Sequence, residues 1–237
     1  MKKTLLATLL AAGAVVCASS AFAADSVDLK VIGTITPVAC TPTLSGGGTV
    51  DYGTIKADTL KADAYTMLPI KSLDFSITCD GNAKVAVRAF SGRLGTAVGT
   101  AEVPNGSAKA PVGVILFGRD SATTTVRAFG LGLDGTKKIG GYSMRLPLVG
   151  SKADGVVVDN IYRYTPTDTW AKVDNGILVT QQDTQISPAA IGTLIPLAFK
   201  TLASSLDVQA FINKASELDI TKPIQLDGLA TLELIYL

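Results

Sequence analysis

The sequence predicts an all-β protein, an antiparallel sandwich built from many short strands. Three observations lead there. Apolar and polar side chains alternate in one short run after another, the pattern of half-buried strands. Asp-Gly and Asn-Gly pairs at 80–81, 105–106, 134–135, 154–155, 175–176 and 227–228 separate those runs, which is hairpin turn chemistry. Helical periodicity is sparse.

Taken in chain order, the first element is a leader. Lys2 and Lys3 precede an apolar run over residues 5–16, and Ala21 and Ala23 supply small residues at its end. Residues 1–23 are therefore expected to be a signal peptide cleaved after Ala23. The apolar run is too short and wrongly flanked for a membrane span. Cys17 follows Val16, a poor fit to the small residue that lipid attachment requires, and reads as an apolar leader residue. An exported, soluble mature chain is the expectation.

Of the 237 residues, 47% are hydrophobic and 17% charged, enough for a sizeable core and too apolar for disorder. The net charge of +1 leaves no electrostatic footprint for nucleic acid or an anionic membrane surface. Without the leader, Cys40 and Cys79 are the remaining cysteines. In an oxidising compartment they are expected to pair. Closing a loop of about 40 residues is worth roughly 4 kcal/mol in the chain-entropy account.

The mature chain opens with an arm, residues 24–38, in which Val27, Leu29, Val31, Gly33 and Ile35 share one face. Residues 39–237 follow as one sandwich domain. In "KSLDFSITC" (71–79), Leu73, Phe75, Ile77 and Cys79 face one way; "DGN" (80–82) reads as a turn into "AKVAVRAF". Further strands are expected within 112–118, 124–133, 141–149, 155–165, 176–180, 194–202 and 206–212. The last is 228–237, where Ala230, Leu232, Leu234 and Tyr236 share a face. Two short helical turns are expected within 57–68 and 187–195, with Asp58 and Ser187 as N-caps. An inserted hairpin is expected somewhere in 92–180.

Chemistry-bearing motifs are few. Gly130, Gly132 and Gly135 match G-x-G-x-x-G, but a strand pattern follows where a dinucleotide site needs a helix N-terminus. "NGS" (105–107) reads as a turn rather than a glycosylation acceptor. The chain has no histidine, so Ser-His and Cys-His pairs are excluded and zinc sites lose their usual ligands. The pairs Asp154 with Asp159 and Asp168 with Asp174 read as scattered surface acids. Trp170 and the tyrosines of "IYRYTPTDTW" read as a partly buried aromatic cluster, with a sugar-binding face as the alternative. No catalytic residue, metal or cofactor is expected.

The order of these features resembles the chaperone–usher fimbrial subunits, in particular their fimbrial-like periplasmic branch. The features are a leader, an alternating arm with a central glycine, "PVAC", a second cysteine in "SITCD", and a last strand with a penultimate tyrosine. "FGLG", "GTKKIGGYSMRL" and "LDGLATLELIYL" carry the resemblance across most of the mature chain. It implies an immunoglobulin-like (pilin-type) sandwich completed by a donated strand. Val27, Leu29, Val31 and Ile35 become pocket-filling side chains of the donor strand, and Gly33 the position where only a hydrogen fits. Leu232, Leu234 and Tyr236 lie on the groove-edge strand that meets the chaperone. The implied partners are a periplasmic chaperone, an outer-membrane usher and neighbouring fimbrial subunits, in transit through the periplasm to the fimbrium at the cell surface, with a host glycan or surface receptor for adhesion. The alternative is a secreted or tip-located carbohydrate-binding adhesin module that does not polymerise.

Overall fold

The two longest runs of alternating residues form the two longest strands, and they pair with each other. The computed structural model describes residues 27–181 and 183–237, so the expected leader (1–23) and the first residues of the expected arm lie outside it. Two units separate between Thr36 and Pro37, and Pro37–Leu237 holds the folded body.

Nine strands carry that body: β1 (Cys40–Leu44), β2 (Lys71–Ala83), β3 (Val85–Ser91), β4 (Arg127–Gly130), β5 (Gly140–Arg145), β6 (Asp159–Arg163), β7 (Gln185–Ala189), β8 (Phe199–Ile212) and β9 (Ala230–Tyr236). Two-residue strands decorate them. One sheet runs β1-β2-β8-β5-β4, and the other runs β6-β7-β3-β9 with Ala171–Lys172 beyond β6. Every pairing is antiparallel. The fold is an all-β, immunoglobulin-like antiparallel sandwich.

Alternation decides what fills it. Phe75, Ile77 and Cys79 of β2 are buried against Val85, Val87 and Ala89 of β3, Met144 of β5 and Ile186 of β7. On β8 a register shift between Phe199 and Thr201 exchanges the inward set. Phe199 is buried on one side of this bulge, and Leu202, Leu206, Val208, Ala210 and Ile212 on the other, because one extra residue flips every side chain beyond it.

The expected turn at 80–82 is not there. Asp80 N–H donates to the Ala39 carbonyl at 3.0 Å, and Ala39 N–H donates to Asp80 Oδ1 at 2.9 Å. That pairing keeps β2 extended through Ala83, and the chain changes sheet at Lys84. Of the two expected helical turns, the one within 57–68 forms and the one within 187–195 does not. Residues 57–59 make one 3-10 turn, with Lys56 rather than Asp58 at the N-cap position and no side-chain cap. Residues 185–189 are strand β7, where the buried Ser187 hydroxyl donates to the Val85 carbonyl at 2.9 Å instead of capping a helix.

Residues between 98 and 128 form a layer on the outer face of the first sheet. Since Ala210 and Ile212 point into the sandwich, Phe211 between them points out. Val98, Ala110, Val114, Leu116, Val126 and Ala128 gather on it as a second small core. Tyr65 meets the Phe211 ring edge-on at 5.7 Å. Inside this layer the stretch 112–118 holds only the hairpin Ile115–Leu116 with Arg119–Asp120.

Candidate functional site

Both terminal stretches of the body end on a sheet edge. β1 is the edge of the first sheet and pairs with β2 alone, Cys40 opposite Cys79 through Leu44 opposite Phe75. Cys40 and Cys79 form the disulfide. β9 is the edge of the second sheet and pairs with β3 alone, Ala230 opposite Ser91 through Tyr236 opposite Val85. The two edges meet where Cys40 N–H donates to the Tyr236 hydroxyl at 2.7 Å.

Burial is graded toward these edges. Val85, Val87 and Ala89 on β3 are fully buried, whereas no residue of β9 is. Ala230, Leu232 and Leu234 of β9 touch the core yet remain half-exposed, and so do Val38, Cys40, Leu44, Val50, Tyr52 and Ile55 near the other edge. A finished sandwich covers its core-facing side chains. Here a seam of apolar side chains, contributed by both ends of the body, is only half covered. Pro37, Val38, Ala83, Lys84, Tyr236 and Leu237 line a pocket where β1 begins and β9 ends. Along its outer face β9 is tied to β3 by Arg88, which reaches Glu233 at 3.0 Å and Asp183 at 3.3 Å.

The arm, described by itself, belongs to no strand. Val27, Leu29, Val31 and Ile35 are each at least 88% exposed, and Gly33 has open space around its Cα. Ile32 is exposed as well. It breaks the strict alternation and gives the arm a further apolar side chain that the pattern did not single out.

The remaining motifs have structural roles. Gly130 ends β4, and Gly135 turns a hairpin between Leu133–Asp134 and Lys137–Lys138. Asn105 is buried in a turn in which Gly106 N–H donates to the Val103 carbonyl at 2.7 Å, so this "NGS" is a turn. Asp154 holds the backbone of Lys200 and Thr201, whereas Asp159 accepts from Gly192 N–H. Asp168 caps Thr165, and Asp174 accepts from Asn175. Trp170 is half-buried beneath the Arg163 guanidinium, 4.6 Å away, and the Tyr162 and Tyr164 rings meet edge-on at 5.1 Å. Among the described residues no cluster of acidic or cysteine side chains has metal-site geometry, and no helix is long and apolar enough to cross a membrane.

The family described as "Protein of unknown function (DUF1120)" matches residues 29–143. The chain is 29% identical to the Escherichia coli "Uncharacterized protein YhcF", over 97% of this chain and 98% of that protein. It is 30% identical to the Escherichia coli "Protein GltF", over 100% of this chain and 99% of that one. The similarity thus spans the whole chain, and the chain belongs to the same family as GltF.

Proposed function

We propose that the protein is an exported fimbrial-like subunit whose second sheet is completed by a strand from another molecule. A periplasmic chaperone supplies that strand first, and the arm of a neighbouring subunit replaces it at an outer-membrane usher. The role is structural, with no catalysis, and the destination is the cell surface. One observation carries this reading: a half-covered apolar seam beside the free edge of β9 occurs in a chain that also carries an exposed apolar arm.

The energetics support it. A strand added to a sheet edge gains main-chain hydrogen bonds from the edge and side-chain burial from the groove. Burying Val27, Leu29, Val31 and Ile35 is worth about 1.5–3 kcal/mol each, less the entropy of ordering the arm. An unprotected apolar edge is otherwise an aggregation hazard. A peptide in the seam brings backbone partners to β9 and covers Leu232 and Leu234 at once.

The test is the behaviour of the full mature chain, produced in the periplasm with and without a chaperone. The expected result is low yield or self-association alone and a soluble one-to-one complex with the chaperone. Val31→Arg is expected to stop subunit–subunit association, because a charge would be buried in the seam, while leaving the chaperone complex intact. A stable monomer at high concentration, with its arm protected from proteases, contradicts the proposal.

A further inference from the structure

A second cavity, about 270 Å³, lies between the outer layer and the second sheet. Its lining includes Arg119, Arg127, Ser143, Tyr162, Tyr164 and Asp174. Two features set it apart from an ordinary surface hollow.

The first is Arg127, the opening residue of β4, only 8% exposed. Its Nε donates to Ser107 Oγ at 2.9 Å and its Nη2 to the Ser107 carbonyl at 2.6 Å. Both acceptors are neutral. Among the described residues no carboxylate lies within ion-pair distance of it. Burial lowers its pKa from the ordinary arginine value, the mark of a cation that has lost water without gaining a counter-charge. Ser107 fixes the guanidinium in place but does not neutralise it.

The second is Ser143 on β5, 1% exposed, whose Oγ has no hydrogen-bond partner among the described residues. A buried hydroxyl without a partner is uncommon in a native protein and asks for an explanation. Around these two, Arg119 donates among the described residues to the Thr124 hydroxyl, at 2.8 Å. Asp174 is the sole carboxylate of the lining. Two guanidiniums thus face one carboxylate, and the cavity is net cationic. Tyr162 and Tyr164 add aromatic surface and phenolic hydroxyls, with Tyr164 exposed.

We propose that this cavity binds a small hydroxylated carboxylate of the acidic-sugar class. The carboxylate pairs with Arg127, supplying the counter-charge that Ser107 does not, and accepts from the Ser143 hydroxyl. The ring lies against Tyr162 and Tyr164, whose flat apolar faces and polar edges suit a sugar. A neutral sugar leaves Arg127 without a counter-charge, and a bare inorganic anion forgoes the aromatic surface.

The experiment is a titration of the full mature chain, held soluble in its one-to-one chaperone complex, with glucuronate, glucose and inorganic phosphate, followed by calorimetry and by amide NMR shifts. Glucuronate is expected to saturate the site, with glucose and phosphate each at least about tenfold weaker, a gap of about 1.4 kcal/mol. Tyr164→Ala, at an exposed position, and Ser143→Ala, which removes an unpartnered hydroxyl, should both keep the fold, and each should weaken glucuronate binding severalfold. Arg127→Gln should abolish it. Equal binding of glucose or of phosphate overturns the proposal. So does unchanged affinity in Ser143→Ala, or no saturation of the wild type by about 10 mM glucuronate, below which binding carries little free energy.

Discussion

Asp154 shows how a single side chain fixes a local fold. It has φ +48°, an uncommon conformation for a residue with a Cβ, in the turn between Lys152–Ala153 and Val156–Val157. Its carboxylate accepts from the amides of Lys200 and Thr201 and from the Thr201 hydroxyl, and these hydrogen bonds, led by the Thr201 amide, hold its pKa below the usual carboxylate value. A depressed folded-state pKa contributes stability that is present above the unfolded pKa and lost as pH falls through the folded one. Asp154→Ala is therefore expected to lower the melting temperature at about pH 7 and to lower it less at about pH 3, below the unfolded-state carboxylate pKa of about 3.9, where part of the linked stability is already lost. Thermal unfolding of both proteins at the two pH values checks this. The Cys40–Cys79 disulfide acts at the same scale. Cys40→Ser is expected to remove about 2–5 kcal/mol of stability, the usual loss for a disulfide-bonded domain, read as a lower denaturation midpoint with a larger m, because the unfolded chain loses its cross-link and exposes more surface.

Among the elements, strands with alternating Val, Ile, Leu and Phe were legible, and those whose signal is mixed were not. The runs ending in Cys79, Ile212 and Tyr236 are strands as their patterns demand. The stretch "QISPA" was missed because Pro188 and its small neighbours read as a helix start. Buried Ile186 and the Ser187 bond to β3 hold it in the sheet instead. "DGN" was read as a turn because its letters favour one, whereas two hydrogen bonds to Ala39 keep it extended. Tertiary pairing overrode local preference in both. β9 yields the sharpest element-level prediction. It holds β3 through seven register positions, and removing residues 234–237 takes Leu234 from the core and Tyr236 from Cys40. Loss of accumulation is expected, measured by immunoblot against the full-length chain, and normal levels would show β9 to be dispensable.

At the scale of the whole molecule, the sandwich was readable from strand count and turn spacing, but its third layer was not. Nothing in the local pattern distinguishes Phe211 from its neighbours on β8. Only the packing shows that it points away from Ala210 and Ile212 and carries the second core. Phe211→Ala is expected to cost about 3–5 kcal/mol, measured by denaturant titration, because the outer layer loses its anchor. The Arg127–Ser143 cavity was illegible for the same reason, since it is assembled by that layer from residues far apart in sequence. The half-covered seam could be anticipated only through resemblance, from the apolar arm and the last strand taken together.

That seam makes the account testable as a whole. A synthetic peptide of residues 24–37, added to protein lacking the arm, should raise its melting temperature by several degrees or more, since several kcal/mol of burial are at stake. The same peptide with Arg at Val31, or with a bulky residue at Gly33, should have no effect. A melting temperature indifferent to the wild-type peptide would show that the edge of β9 is not an acceptor for the arm.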